Sequence, residues 1–141
     1  MISFIDLNSQ TVSDCRYSIE YNIEGLYSLK RLYLEANTLE VDLSMKNLPS
    51  LTYFSLSFFG TIDEKIVTRL LDQIPYIEEL HLGGHLSFFN LDSFVNLRVL
   101  SLFGVTEKKF NFELFKNLCN QLETIKIINF VDEKSLLKLF D

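Results

Sequence analysis

One short spacing recurs along the chain and constrains it more than any other feature. Apolar residues stand at Leu29, Leu32 and Leu34, at Leu51, Phe54 and Leu56, and at Ile77, Leu80 and Leu82. The same spacing returns at Leu97, Leu100 and Leu102, and at Leu122, Ile125 and Ile127. A weaker copy opens the chain at Ile2, Ile5 and Leu7. The copies begin near residues 2, 29, 51, 77, 97 and 122, roughly 20–27 residues apart, which is the scale of one unit in a stacked array. The end of each copy, as in Leu32-Tyr33-Leu34, alternates apolar and outward residues as a half-buried strand does. A unit this small cannot bury its apolar face alone, so neighbouring copies must stack to make a core.

The stretch Leu29–Leu39, "LKRLYLEANTL", reads Leu-x-x-Leu-x-Leu-x-x-Asn-x-Leu and resembles the leucine-rich repeat family at every defined position. Five good copies carry the resemblance over nearly the whole chain. "LLDQIPYIEELHL" and "LFKNLCNQLETIKI" are most similar to its intracellular, helix-bearing members, the ribonuclease-inhibitor-like and F-box-associated arrays. The resemblance implies an α/β solenoid of about five to six repeats, one domain over residues 1–141. It implies a curved horseshoe with a parallel sheet on the concave side and helices or irregular returns on the convex side. The chain departs from the family at the Asn position, which here reads Asn37, Phe59, His85, Val105 and Phe130. Turns after the strands are therefore expected to be held by burial rather than by an Asn ladder. Residues 1–28 leave no room for an F-box helical module, so a substrate-receptor role in a ubiquitin-ligase-type complex rests on the resemblance alone.

Helical spacing follows several of the strands. Ile66, Leu70, Leu71 and Ile74 share one face of 63–74, and Pro75 ends that helix. Phe112, Phe115, Leu118, Cys119 and Leu122 share a face in the same way, as do Leu136, Leu137 and Phe140. Each of these segments opens on a similar triplet: Asp63-Glu64-Lys65, Thr106-Glu107-Lys108 and Asp132-Glu133-Lys134. An adjacent acid and base suggest catalysis at first sight. General acid–base work needs its carboxylates in one pocket, however, and these are spread over three repeats. Asp63, Thr106 and Asp132 instead read as N-caps, with Glu64, Glu107 and Glu133 where the helix dipole favours negative charge. A strand followed by a helical return places successive strands parallel and side by side. Residues 8–28 fit less well, because "CRYSIEYNI" alternates like a strand where the period calls for a return.

Composition narrows the function. With 13 basic and 19 acidic residues the formal net charge is −6. An acidic chain gains little from counterion release, so no nucleic acid is expected as partner. The longest nearly apolar run, Tyr53 to Gly60, is too short to span a bilayer, so no membrane is expected either. The opening Met1-Ile-Ser-Phe-Ile-Asp6 meets an acid too early for a signal peptide. Cys15 and Cys119 stand far apart with no pairing or metal spacing, which suits a reducing cytoplasmic or nuclear location.

Nothing in the chain reads as a reactive centre. His81 and His85 flank Gly83-Gly84 with no third metal ligand beside them, and the glycines argue against a helical histidine pair. His81 is expected on the concave face and His85 at the turn. Cys119 falls on the apolar face of its helix, where burial makes a poor nucleophile. The "SFF" stretches at 57–59 and 87–89 read as packing on the convex side. No enzymatic activity, metal or cofactor is expected.

Function is expected instead on strand residues that point away from the core. The candidates are Arg31, Tyr33 and Glu35 in one repeat and Tyr53 and Ser55 in the next. Glu79 and His81, Ser101 and Phe103, and Lys126 continue the series. Tyr33, Tyr53 and Phe103 ringed by small and charged residues suit a protein-binding hot spot. A docking edge at the end of the array, beside the apolar face of 136–140, is the alternative, with the chain as a subunit of a larger complex.

Overall fold

The computed structural model describes residues 5–6, 26–36, 44–58, 64–84, 91, 93–104 and 118–128. They form one open six-stranded sheet whose strands lie side by side in chain order. The strands are β1 (Ile5–Asp6), β2 (Arg31–Ala36), β3 (Tyr53–Phe58), β4 (Glu79–Gly83), β5 (Val99–Phe103) and β6 (Thr124–Ile128). The last five run parallel. Helix α1 (Glu64–Asp72) lies between β3 and β4 in the chain. A single open sheet of five parallel strands with little helix is compatible with a solenoid-like α/β arrangement.

The register explains the spacing in the sequence. Leu32, Phe54, Leu80, Leu100 and Ile125 pair across the sheet in one row, and Leu34, Leu56, Leu82, Leu102 and Ile127 in another. From β2 to β5 all eight of these side chains are at most 4% exposed. Burying one leucine of this kind contributes about 1.5–3 kcal/mol. A register slip of one residue would turn both rows to solvent, so burial itself sets the pairing. The leading apolar residue of each copy plugs the strand start: Leu29, Leu51, Ile77 and Leu97 are all buried.

A second ladder ties the strand starts together. The carbonyl of Lys30 accepts hydrogen bonds from the backbone N–H groups of Thr52 (3.0 Å) and Tyr53 (3.1 Å). Thr52 does the same for Glu78 and Glu79, Glu78 for Arg98 and Val99, and Arg98 for Glu123 and Thr124. Each carbonyl thus receives two donors from the next strand, which leaves none of these buried backbone groups orphaned. Long side-chain ties add to it. Tyr76 donates its hydroxyl to the Leu48 carbonyl at 3.0 Å, and the Met45 N–H donates to Gln73 Oε1 at 2.8 Å. Gln121 Nε2 donates to the carbonyls of Phe94 and Leu97.

Helix α1 covers the core side of the sheet. Val67, Leu70 and Leu71 are 1% exposed and belong to the same apolar cluster as the strand leucines, with Ile66 packed partly against it. Lys65, Arg69 and Asp72 stand outside. The helix ends at Asp72 rather than at Ile74, because Gln73 and Ile74 donate to the carbonyls of Leu70 and Leu71 in a tightened final turn. Pro75 follows three residues after Asp72, past the break it enforces.

Three expectations meet a different result. β1 pairs with β2 antiparallel, Ile5 opposite Leu32 and Asp6 opposite Arg31, so the opening segment is not a sixth parallel copy. Its Ile2, Ile5, Leu7 spacing marks a half-buried strand, but period-two alternation carries no information about strand direction. The first "SFF" stretch begins inside β3, where Ser57 pairs with Gly83 on the sheet, not on a convex return. Cys119 is half-buried rather than fully buried, although burial still pushes its thiol above the ordinary range. The helices expected around 112–117 and 132–140, their caps and the first cap Asp63, the Asn-equivalent positions, Cys15, His85, the 87–89 stretch and the C-terminal edge lie outside the described residues.

Candidate functional site

The face of the sheet opposite the core is built by the alternate residues of the same strands. One row reads Arg31, Tyr53, Glu79, Val99 and Thr124, and the next Tyr33, Ser55, His81, Ser101 and Lys126. A third holds Glu35, Ser57, Gly83, Phe103 and Ile128. The candidates expected from the sequence therefore share one surface, although the Glu35 side chain is outside what is described.

On β2 to β4 five of them form a continuous cluster. The Arg31 guanidinium lies 3.8 Å from the centroid of the Tyr53 ring, and its Nε donates to the Tyr33 hydroxyl at 2.9 Å. The rings of Tyr33 and Tyr53 stand 4.8 Å apart with 43° between their planes. The Tyr53 ring and the His81 imidazole stand 4.9 Å apart at 33°. His81 Nε2 is 2.8 Å from Glu79 Oε1. The two ring pairs are diagonal cross-strand neighbours, whose backbone positions stand about 7–8 Å apart, so the rings lean towards each other to make contact.

The cluster is drier than an ordinary sheet face. Tyr53 is only 8% exposed, so it is the floor of the cluster and not a projecting anchor. Burial, and then the neighbouring Tyr33, pushes its phenol up to about 12. Burial disfavours the charge on Arg31, but the Tyr33 hydrogen bond and the surrounding Tyr33, Tyr53 and Glu79 raise its pKa overall. A guanidinium over a ring is attracted by the negative π face, by about 0.5–2 kcal/mol depending on desolvation. Arg31 is thus held over the Tyr53 ring by its hydrogen bond to Tyr33.

Beyond β4 the surface changes. Ser101, expected at the surface, is completely buried, and its Oγ has no hydrogen-bond partner. Gly83 is closely covered, so that an added Cβ would stand 3.2 Å from Ser57 Oγ and 3.6 Å from the Phe103 Cβ. Val99 and Phe103 are half-buried, and Ile128 is 44% exposed. Lys126 closes the row and is exposed.

Ligand chemistry has little footing. Among the described residues no group of three or more His, Cys, Asp or Glu side chains could hold a metal ion. Nor does any helix of the described residues reach the length and apolarity needed to cross a membrane. A cavity of about 450 Å³ opens at the strand starts, lined by Glu78, Val95, Asn96, Leu97, Arg98 and Gln121. Two of its polar side chains are already engaged, Arg98 with Glu123 at 2.6 Å and Gln121 with two carbonyls.

Sequence spacing places these residues on one face, yet it does not reveal the stacking of Arg31 on Tyr53 or the burial of Ser101. Comparison with protein-family models, curated proteins and solved structures returned no match.

Proposed function

We propose that this chain is a non-enzymatic interaction module of leucine-rich-repeat type that holds a protein partner through the open, concave face of its sheet. The observation that carries this reading is the interlocked cluster of Arg31, Tyr33, Tyr53, Glu79 and His81 on that face. Aromatic and arginine side chains fixed before binding lose little entropy on association, and such residues dominate protein interfaces. An enzyme is disfavoured because the cluster pairs no nucleophile with a base: Ser101 is sealed and Cys119 lies on the other side of the sheet's layer. The five in-register copies of the leucine spacing support the repeat type.

Immobilised protein and variants provide the test, read by mass spectrometry of the captured proteins. Tyr33→Ala combined with Phe103→Ala should remove partners that the wild type and an Asn96→Ala control retain, with far-UV circular dichroism unchanged. Equal capture by all three proteins would sink the proposal.

A second reading, a structural subunit of a larger assembly, is favoured by β6. Ile125 and Ile127 are more exposed than their counterparts in β2 to β5, and no strand pairs with the outer edge of β6 among the described residues. Sedimentation of the isolated chain tests it.

A further inference from the structure

The turns that lead into the strands share a feature that the leucine spacing does not show. Ser50, Tyr76 and Gln121 stand at the same place in their copies, three residues ahead of Tyr53, Glu79 and Thr124, the first residues of β3, β4 and β6. Each reaches back to a backbone carbonyl in the entry turn of the copy before. Ser50 Oγ donates to the Tyr27 carbonyl at 2.6 Å, and the Tyr76 hydroxyl donates to the Leu48 carbonyl at 3.0 Å. Gln121 Nε2 donates to two carbonyls, Phe94 at 2.8 Å and Leu97 at 3.1 Å. Three unlike side chains therefore make the same tie between one copy and its predecessor.

The tie matters most at β6. In the earlier copies the three spaced apolar residues, such as Leu97, Leu100 and Leu102, are at most 4% exposed, and their burial holds the strands. Leu122, Ile125 and Ile127 of the last copy are all half-buried. Part of the apolar contribution that fixes the other strands is therefore missing at β6. The backbone bonds at the strand start are the same as elsewhere, with the Arg98 carbonyl accepting from Glu123 and Thr124. The Arg98–Glu123 ion pair crosses the seam as well, but its side chains are 57% and 58% exposed, so solvent screens it. Units that contact only their neighbours open locally, and the least buried end opens first.

We infer that β6 is a latched terminal unit that opens by itself while β2 to β5 stay folded, and that the two hydrogen bonds of Gln121 are the latch. Opening would bare the backbone edge of Val99–Phe103 and the flanks of Leu100 and Leu102, an edge with which another chain can pair. The latch works in the same way whatever the open face binds.

Hydrogen exchange of the full-length chain, followed amide by amide by nuclear magnetic resonance, tests this. In the wild type the hydrogen-bonded amides of β6 should be protected at least about tenfold less than those of β3 and β4. Their protection should also depend less on added urea, because a local opening exposes less surface than global unfolding. Gln121→Ala should lower β6 protection about five- to tenfold further, the scale of one or two hydrogen bonds, and leave β3 and β4 unchanged. Gln121→Met, which keeps the length of the side chain and removes the donor, should do the same. Tyr76→Phe, which removes the matching bond between interior copies, should leave β6 protection at its wild-type value.

Equal protection of β3, β4 and β6 in the wild type would overturn the inference. So would a Gln121→Met chain whose exchange is unchanged, or one whose three strands all exchange faster by the same factor.

Discussion

At the residue scale, Tyr53 shows how a surface position becomes interior. Its place in the strand alternation puts it on the open face, and nothing local marks it as buried. The neighbours decide: Arg31 on the ring, Tyr33 and His81 against its flanks. The consequence is visible in alkali. An unfolded tyrosine ionises near 10, while the folded Tyr53 phenol is pushed up to about 12. Folding therefore favours the neutral phenol. Its contribution to stability is complete below pH ~10 and is lost as pH rises through about 12. Tyrosinate absorbance should show a late-ionising fraction to which Tyr53 and the half-buried Tyr76 contribute, together with loss of far-UV ellipticity. A Tyr53→Phe chain should keep its ellipticity to higher pH than the wild type. If both lose it at the same pH, Tyr53 does not control the alkaline transition.

At the element scale, α1 is legible because its two faces differ so sharply. Val67, Leu70 and Leu71 recur at helical spacing and meet the leucine rows of the sheet. Leu70→Ala should cost about 2–5 kcal/mol, the range for emptying a tightly packed leucine site. Asp72→Ala, on the exposed side in the last turn, should change stability by no more than about 0.5 kcal/mol. Urea unfolding followed by circular dichroism separates the two. β1 is the contrasting element. Its alternation matches the other copies, but direction depends on how the chain returns to the sheet, and that is a property of the connection rather than of the strand.

Across the whole molecule, the sheet grows by adding strands in chain order, each pairing only with its neighbours. Such an arrangement always ends on open edges, and backbone groups there invite pairing with another chain. At β6 the core rows continue with Ile125 and Ile127, which are half-buried, while Ile128 is 44% exposed. Lys126 stands in the middle of this strand, a charge that discourages edge-to-edge pairing. Sedimentation over a hundredfold range of concentration should therefore distinguish the two readings of function. A monomer throughout fits an interaction module that works from its open face; concentration-dependent association fits a subunit built to be covered at β6.

The leucine spacing alone was enough to expect parallel strands, their register and the two buried rows, because moving water off apolar side chains is strong and follows period and pitch. It also assigned Arg31, Tyr33, Tyr53, Glu79, His81 and Lys126 to one face. Which of them would be reachable was not written there. Tyr53 and Ser101 have the same alternation as Tyr33 and Lys126, yet the first two are buried, Tyr33 is half-buried and Lys126 is exposed. Exposure on a sheet depends on the size and lean of side chains in adjacent strands, which lie 20 or more residues away in sequence. Strand direction at β1 and the seating of Arg31 on Tyr53 have the same origin: both are set by contacts between distant segments that exist only once the sheet has formed.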